Sequence, residues 1–180
     1  MPDAASDITS KLNRAIRALL ISEDAGTEQD TIAEPSEQER PLPVTTISTG
    51  DGSPFDGPGN QQFPVSITLH DPGIGNPESI TIDGTRRAAN TRLTNVHNAL
   101  CQSDDEHTLK YTAGLLTTAG RDLASTGTAA QQAANADMAD FTVLWWEYVT
   151  TGASTLSSSE LGTFWERSLQ FRAVACNNNL

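Results

Sequence analysis

Two segments near the end of the chain, Phe141 to Thr150 and Phe164 to Cys176, hold all three tryptophans, Trp145, Trp146 and Trp165, together with Phe141, Tyr148, Phe164 and Phe171. In a chain whose aromatic content is only 6%, the densest core must form there. Side chains alternate across a strand. In the first segment, alternation sends Phe141, Val143, Trp145 and Val149 to one face and Leu144, Trp146 and Tyr148 to the other, so both faces are apolar. A strand of that kind is central in a doubly covered sheet, or it carries a face that the rest of the chain or another subunit must cover. The second segment is plainer. Leu169, Phe171, Ala173 and Ala175 form an apolar row opposed by Glu166, Ser168, Gln170 and Arg172, and that row is predicted to face helices.

The upstream elements follow from spacing. Ile8, Leu12, Ile16, Leu19 and Leu20 recur at helical intervals after a cap at Ser6 or Asp7, and the helix is predicted to fade near Ser22. Residues 22–41 are acidic and nearly free of large apolar side chains, which reads as a solvated loop or as a segment docking on a basic neighbour. Pro41 to Thr49 is β-rich and placed by its prolines at a strand start or an edge. Gln61 to His70 alternates Phe63, Val65, Ile67 and Leu69 with polar residues, so the two runs read as a long-looped antiparallel pair. After the turn-rich Asp71 to Pro77 and a short extended piece at Ile80 to Ile82, a second helix is capped by Asp83 or Thr85. It buries Ala89, Leu93, Val96 and Leu100. Residues 103–138 show no dominant period and read as an insertion with some helix, and Thr151 to Gly162 as a Gly- and Ser-rich connector. The prediction is a single α+β domain over 1–180, a mainly antiparallel sheet of about four strands with two helices on one face.

Length supports a core without metal or disulfide staples. A formal charge of −12 disfavours general attraction to nucleic-acid backbones or anionic membranes, which require a basic footprint. Cys101 and Cys176 are too few for a disulfide framework and read as reduced small hydrophobes. No run reaches the roughly 18 apolar residues of a membrane span, and Ala18 to Ile21 is too short for a signal-peptide core. The sequence therefore predicts no membrane partner and synthesis in a reducing cytoplasm.

Chemical motifs are weak. His97 and Cys101 share a helix face four residues apart, near Asp104, Asp105 and His107, yet no C-x-x-C or H-E-x-x-H pattern accompanies them, and a structural role is favoured over zinc. Asp51, Asp56 and Asn60 lie in a glycine-rich loop without the ordered spacing of a calcium site, and a hairpin tip is favoured. His70-Asp71 stands at a strand end where Asp commonly caps backbone groups, and no nucleophile elbow occurs. The expectation is a non-enzyme with no catalytic residue, cofactor or metal. Arg86, Arg87 and Arg92 crowd the start of the second helix, where the dipole disfavours positive charge. They read as a solvated face or, alternatively, as a site pairing with carboxylates of the same or a neighbouring subunit.

The order of elements, with Phe63-Pro-Val-Ser-Ile-Thr-Leu-His70, an Arg- and Asn-rich second helix, Ala139-Asp-Phe-Thr-Val-Leu-Trp-Trp146 and Trp165-Glu-Arg-Ser-Leu-Gln-Phe-Arg-Ala-Val-Ala175, resembles the tail-terminator and tail-completion proteins of tailed bacteriophages. The resemblance implies a structural virion protein made in a bacterial or archaeal host. It would form a ring with itself, typically a hexamer, cap the tail tube protein and meet the head-completion or neck protein, with DNA only passing through the lumen. A ring needs two complementary patches on each subunit. Glu34, Glu37 and Glu39 of the acidic loop and Arg86, Arg87 and Arg92 are one candidate pair, and Trp146 and Tyr148 are candidates for a face covered by the insertion or by a neighbour. The alternatives are another head-tail connector, or a small non-viral module that binds a ligand between Gly50–Asn60 and Thr151–Gly162.

Overall fold

Strands β4 (Gln61–Pro72) and β7 (Gly162–Asn177) form the centre of the molecule, paired antiparallel from Gln61 opposite Ala175 to Pro72 opposite Phe164. Both strands carry an apolar row at alternate positions, so this register stacks Phe63, Val65, Ile67 and Leu69 beside Ala173, Phe171, Leu169 and Arg167 on one face. A shift of one residue would turn all of them to water. The computed structural model describes residues 4–32, 41–73, 82–103, 108–159 and 162–177.

Around this pair lie β1 (Thr31–Ile32), β2 (Val44–Thr49), β3 (Ser53–Pro54), β5 (Phe141–Thr151) and β6 (Thr155–Ser159), giving a seven-stranded sheet with the main order β1-β2-β4-β7-β5. The fold is α+β, as the order of elements predicts, but the sheet has more than four strands. It is antiparallel except where β1 runs parallel to β2. Strand β3 continues beside β4 beyond the end of β2. The span 151–162 is less of a loop than its composition suggests, because β6 pairs with Gly162 to Glu166 of β7. Since β4 occupies one edge of β7 over that stretch, β5 and β6 share the other. They form one broken strand, interrupted at Gly152 to Ser154.

Helices α1 (Ala4–Ser22), α2 (Ile82–Leu100) and α3 (Thr108–Asp122) pack on the sheet, while the short α4 (Ala129–Ala134) and a 3-10 turn, Ala136–Met138, lead into β5. The predicted stripes of α1 and α2 are buried, with Leu93 only partly so. Two boundaries differ from the sequence reading. Helix α2 begins at Ile82, so Thr85 lies within it rather than at its cap. Residues 108–122 are a third core helix rather than an insertion, its apolar signal diluted by small and hydroxyl residues. Leu116 and Ala113 are buried against the sheet, and Gly120 lets the backbone approach α1 closely: a Cβ there would lie 3.1 Å from the Ala15 Cβ and 3.0 Å from the Met138 Cε. Arg14 of α1 fastens the following segment through Asn135 at 3.0 Å and a two-pronged contact with Asp137.

Strict alternation fails in β5, and the failure decides where the tryptophans go. The register with β7 shifts between Val143 and Trp145, opposite Ala175 and Val174, which marks a β-bulge. One extra residue reverses the parity of everything after it. Trp146 therefore joins Phe141 and Val143 in the core, 2% exposed and stacked on Phe171 at 4.6 Å, with its indole N–H donating to the Leu100 carbonyl at 2.8 Å. Trp145 is 37% exposed. Trp146 is thus no interface residue in this subunit, because the bulge turns it inward under the end of α2.

These placements give opposite expectations for adjacent residues. Trp146→Ala should lower unfolding free energy by about 3–5 kcal/mol, and Trp145→Ala by much less, as read by denaturant titration. Gly120→Leu should cost about 1–3 kcal/mol, because the side chain has no room between α1 and Met138. For Asp137, the hydrogen bond from Arg14 holds the carboxyl below its ordinary value of 3.8. Its stabilising contribution is present above that value and lost as pH falls through the folded pKa. Asp137→Asn should remove this part of the acid dependence, and NMR titration of the carboxyl should give a depressed midpoint.

Candidate assembly surface

The helix-covered face is not uniformly apolar. At the end where α2 begins, Asp71 of β4 and Arg167 of β7 sit on the core side, each 4% exposed. Arg92 of α2 reaches down to them, donating to Asp71 Oδ1 at 3.1 Å, to the Thr45 hydroxyl at 2.5 Å and to the Val44 carbonyl at 3.4 Å. Arg167 donates to Asn90 and lies 5.9 Å from the centre of the Trp165 ring, whose N–H in turn donates to Thr85. Burial pushes the Asp71 carboxyl above its ordinary value against the pull of Arg92, and burial also lowers the Arg167 guanidinium. These groups fix α2 on the sheet. Arg92 is therefore an internal anchor, not a surface cation, while Arg86 and Arg87 one turn earlier are exposed. Asp71 is no end-cap either, since it continues β4 opposite Trp165. The sequence signal for this cluster was Arg167, a charge on the otherwise apolar side of β7.

The opposite face of the sheet is uncovered and polar. His70 meets Glu166 at 2.9 Å, Gln170 donates to Ser66 at 3.0 Å, and Arg172 reaches Glu147 at 3.4 Å. These are cross-strand pairs of a solvated face.

Exposed apolar groups instead gather along the outer strand. On β5 and β6, Leu144, Trp145, Tyr148, Val149 and Leu156 are exposed, Val149 by 50%. The first part of this edge is closed by α3: the Thr117 hydroxyl accepts from the Val143 N–H at 2.9 Å, and Arg121 donates to the Phe141 carbonyl at 3.0 Å. Among the described residues no strand pairs with the outer side of Trp145 to Thr151 or of β6. A strand edge with unpaired backbone groups and exposed apolar side chains is a template for another strand. Tyr148 stays at this surface, edge-on to His97 at 5.0 Å and to Phe171 at 5.7 Å, with its hydroxyl 2.6 Å from Thr151.

The remaining sequence candidates stay apart. Burial pushes the Cys101 thiol up to about 11, and it raises the Cys176 thiol as well, so neither is poised as a thiolate. Among the described residues no three His, Cys, Asp or Glu side chains come together as a metal site, and Asp104, Asp105 and His107 lie outside them, as do Glu34, Glu37 and Glu39. The 50–60 loop is a hairpin tip closed by β3, with the Asn60 amide donating to the Asp56 carbonyl at 2.7 Å and left-handed glycines at 57 and 59. No known family model matches the chain, and no curated protein matches it in sequence.

Removing one partner of a buried ion pair strands the other. Arg92→Met should destabilise the fold by about 3–5 kcal/mol, whereas Arg87→Glu should stay within about 0.5 kcal/mol. The raised pKa of Asp71 has a definite sign: the folded state takes up its proton first. The Asp71 contribution to stability is therefore largest below the ordinary carboxylate value of 3.8 and declines as pH rises through the raised folded value. Stability of the wild type minus that of Asp71→Asn, measured across acid pH, should fall in that window and then level off.

Proposed function

We propose that this chain is a structural protomer of a virus tail or neck, a tail-terminator or tail-completion protein that assembles as a ring, caps the tail tube and joins it to the head-neck complex. The observation that carries the reading is the open outer edge of β5 and β6, with Trp145, Tyr148, Val149 and Leu156 exposed along it. A monomer working alone gains nothing from such an edge, and natural sheets usually blunt theirs. The element order that resembles the tail-terminator family supports the same reading. So does the charge of −12, since an acidic lumen repels passing DNA instead of binding it.

The test uses the purified full-length chain and the tail-tube protein encoded in the same genome. Native mass spectrometry of each alone and of the mixture should show a closed oligomer, and electron microscopy should show it seated on tube ends and stopping their growth. A chain that stays monomeric in the mixture and leaves tube length unchanged would overturn the assignment. Binding to the head-completion protein but never to tubes would move it one layer up the neck.

A further inference from the structure

The geometry points to a specific joint between copies: the open β5–β6 edge of one subunit adds to the β1 edge of the next, antiparallel, so that neighbouring sheets run on as one. This inference rests on the ring reading above and deepens it.

Three observations carry it. First, polarity. Strands β2 and β4, β4 and β7, and β7 and β5 are antiparallel in turn, while β1 is parallel to β2. At its two ends the sheet therefore presents strands of opposite direction. In a ring whose subunits share one orientation, β5 meets the next β1 antiparallel, and such a joint repeats head to tail with two different patches. Second, layering. Helices α1, α2 and α3 lie on one face of the sheet, so extending the sheet across the joint places α3, which packs on β5, beside the turn that leads from α1 into the neighbouring β1.

Third, charge. In a protein of net −12, α3 carries two exposed cations, Lys110 and Arg121, against one exposed carboxylate, Asp122. The α1–β1 turn exposes Glu23, Asp24 and Glu28, and the cation nearest to them, Arg17, is half-buried and donates to the Glu28 and Thr31 carbonyls. The two ends of the sheet are thus complementary in strand direction and in the sign of the flanking charge. A β5-to-β5 pairing would instead bring the cations of α3 against each other. Main-chain hydrogen bonds supply affinity in strand addition, and the flanking side chains supply selectivity.

Two variants, each altered at one end, test the joint. Lys110→Glu with Val149→Asp alters the β5 end, and Glu23→Lys with Glu28→Lys alters the β1 end. All four residues are exposed, and circular dichroism with thermal melting checks that both variants fold. By native mass spectrometry, with tube protein present, each variant alone should lose the ring. An equimolar mixture of the two should form a heterodimer and nothing larger, because only one intact joint remains between them. Variants that assemble as the wild type does would overturn the edge pairing and leave the ring reading standing. Loss of assembly in the β5-end variant with a normal ring from the β1-end variant would overturn it in favour of β5-to-β5 pairing. A wild type that is monomeric with and without tube protein would overturn the ring reading, and this joint with it.

Discussion

The pairing of β4 with β7 is the constraint on which the other elements depend. Its register places two apolar rows side by side, and those rows are the floor onto which α1, α2 and α3 pack. Strand β2 extends the floor on one side and β5 on the other. Neither a hairpin turn nor a disulfide holds β4 and β7 together. The match of buried residues sets their alignment, because any slip exposes Phe63, Val65, Ile67, Leu69 and Phe171 at once.

Within that frame the polar groups under α2 do a different job from the apolar ones. Apolar contacts are tolerant of small sliding and rotation, whereas Arg92 must reach Asp71, Thr45 and Val44 together. The cluster gives α2 one position on the sheet. It also explains why charged residues occur on the inner side of β4 and β7 only near the end where α2 starts.

Much of this was legible in the sequence because periodicity survives wherever one face is buried against the other's water. Helix α1, the buried stripe of α2, and the inward rows of β4 and β7 follow directly from spacing. What was not legible has physical causes. A bulge between Val143 and Trp145 leaves no mark in composition, yet it exchanges the fates of Trp145 and Trp146. Helix α3 is hidden because its contact with α1 is made by Gly120 and Ala15, which bury backbone rather than large side chains. Strand β6 is hidden by its serines, since it takes its place from β7 and not from a core of its own. Arg92 looked like a surface cation because its partner, Asp71, stands on another element. The open edge was half visible: excess apolar surface in β5 was evident, but which residues carried it depended on the bulge.

Strand β7 follows every other element in chain order, yet it lies between β4 and β5 and receives β6 as well. While the chain is being made, β4 and β5 have no partner on the sides that will meet β7, and the inner rows of both remain wet. Contacts between segments so far apart in sequence are slow to form and leave apolar strands exposed in the meantime. The sheet closes only once β7 has left the ribosome. A chain cut short before that point has no completed floor, and its β5 edge has no flat, supported sheet behind it to present. Such a fragment is a target for proteolysis and not a building block, so the order of synthesis itself screens which chains are able to enter an assembly.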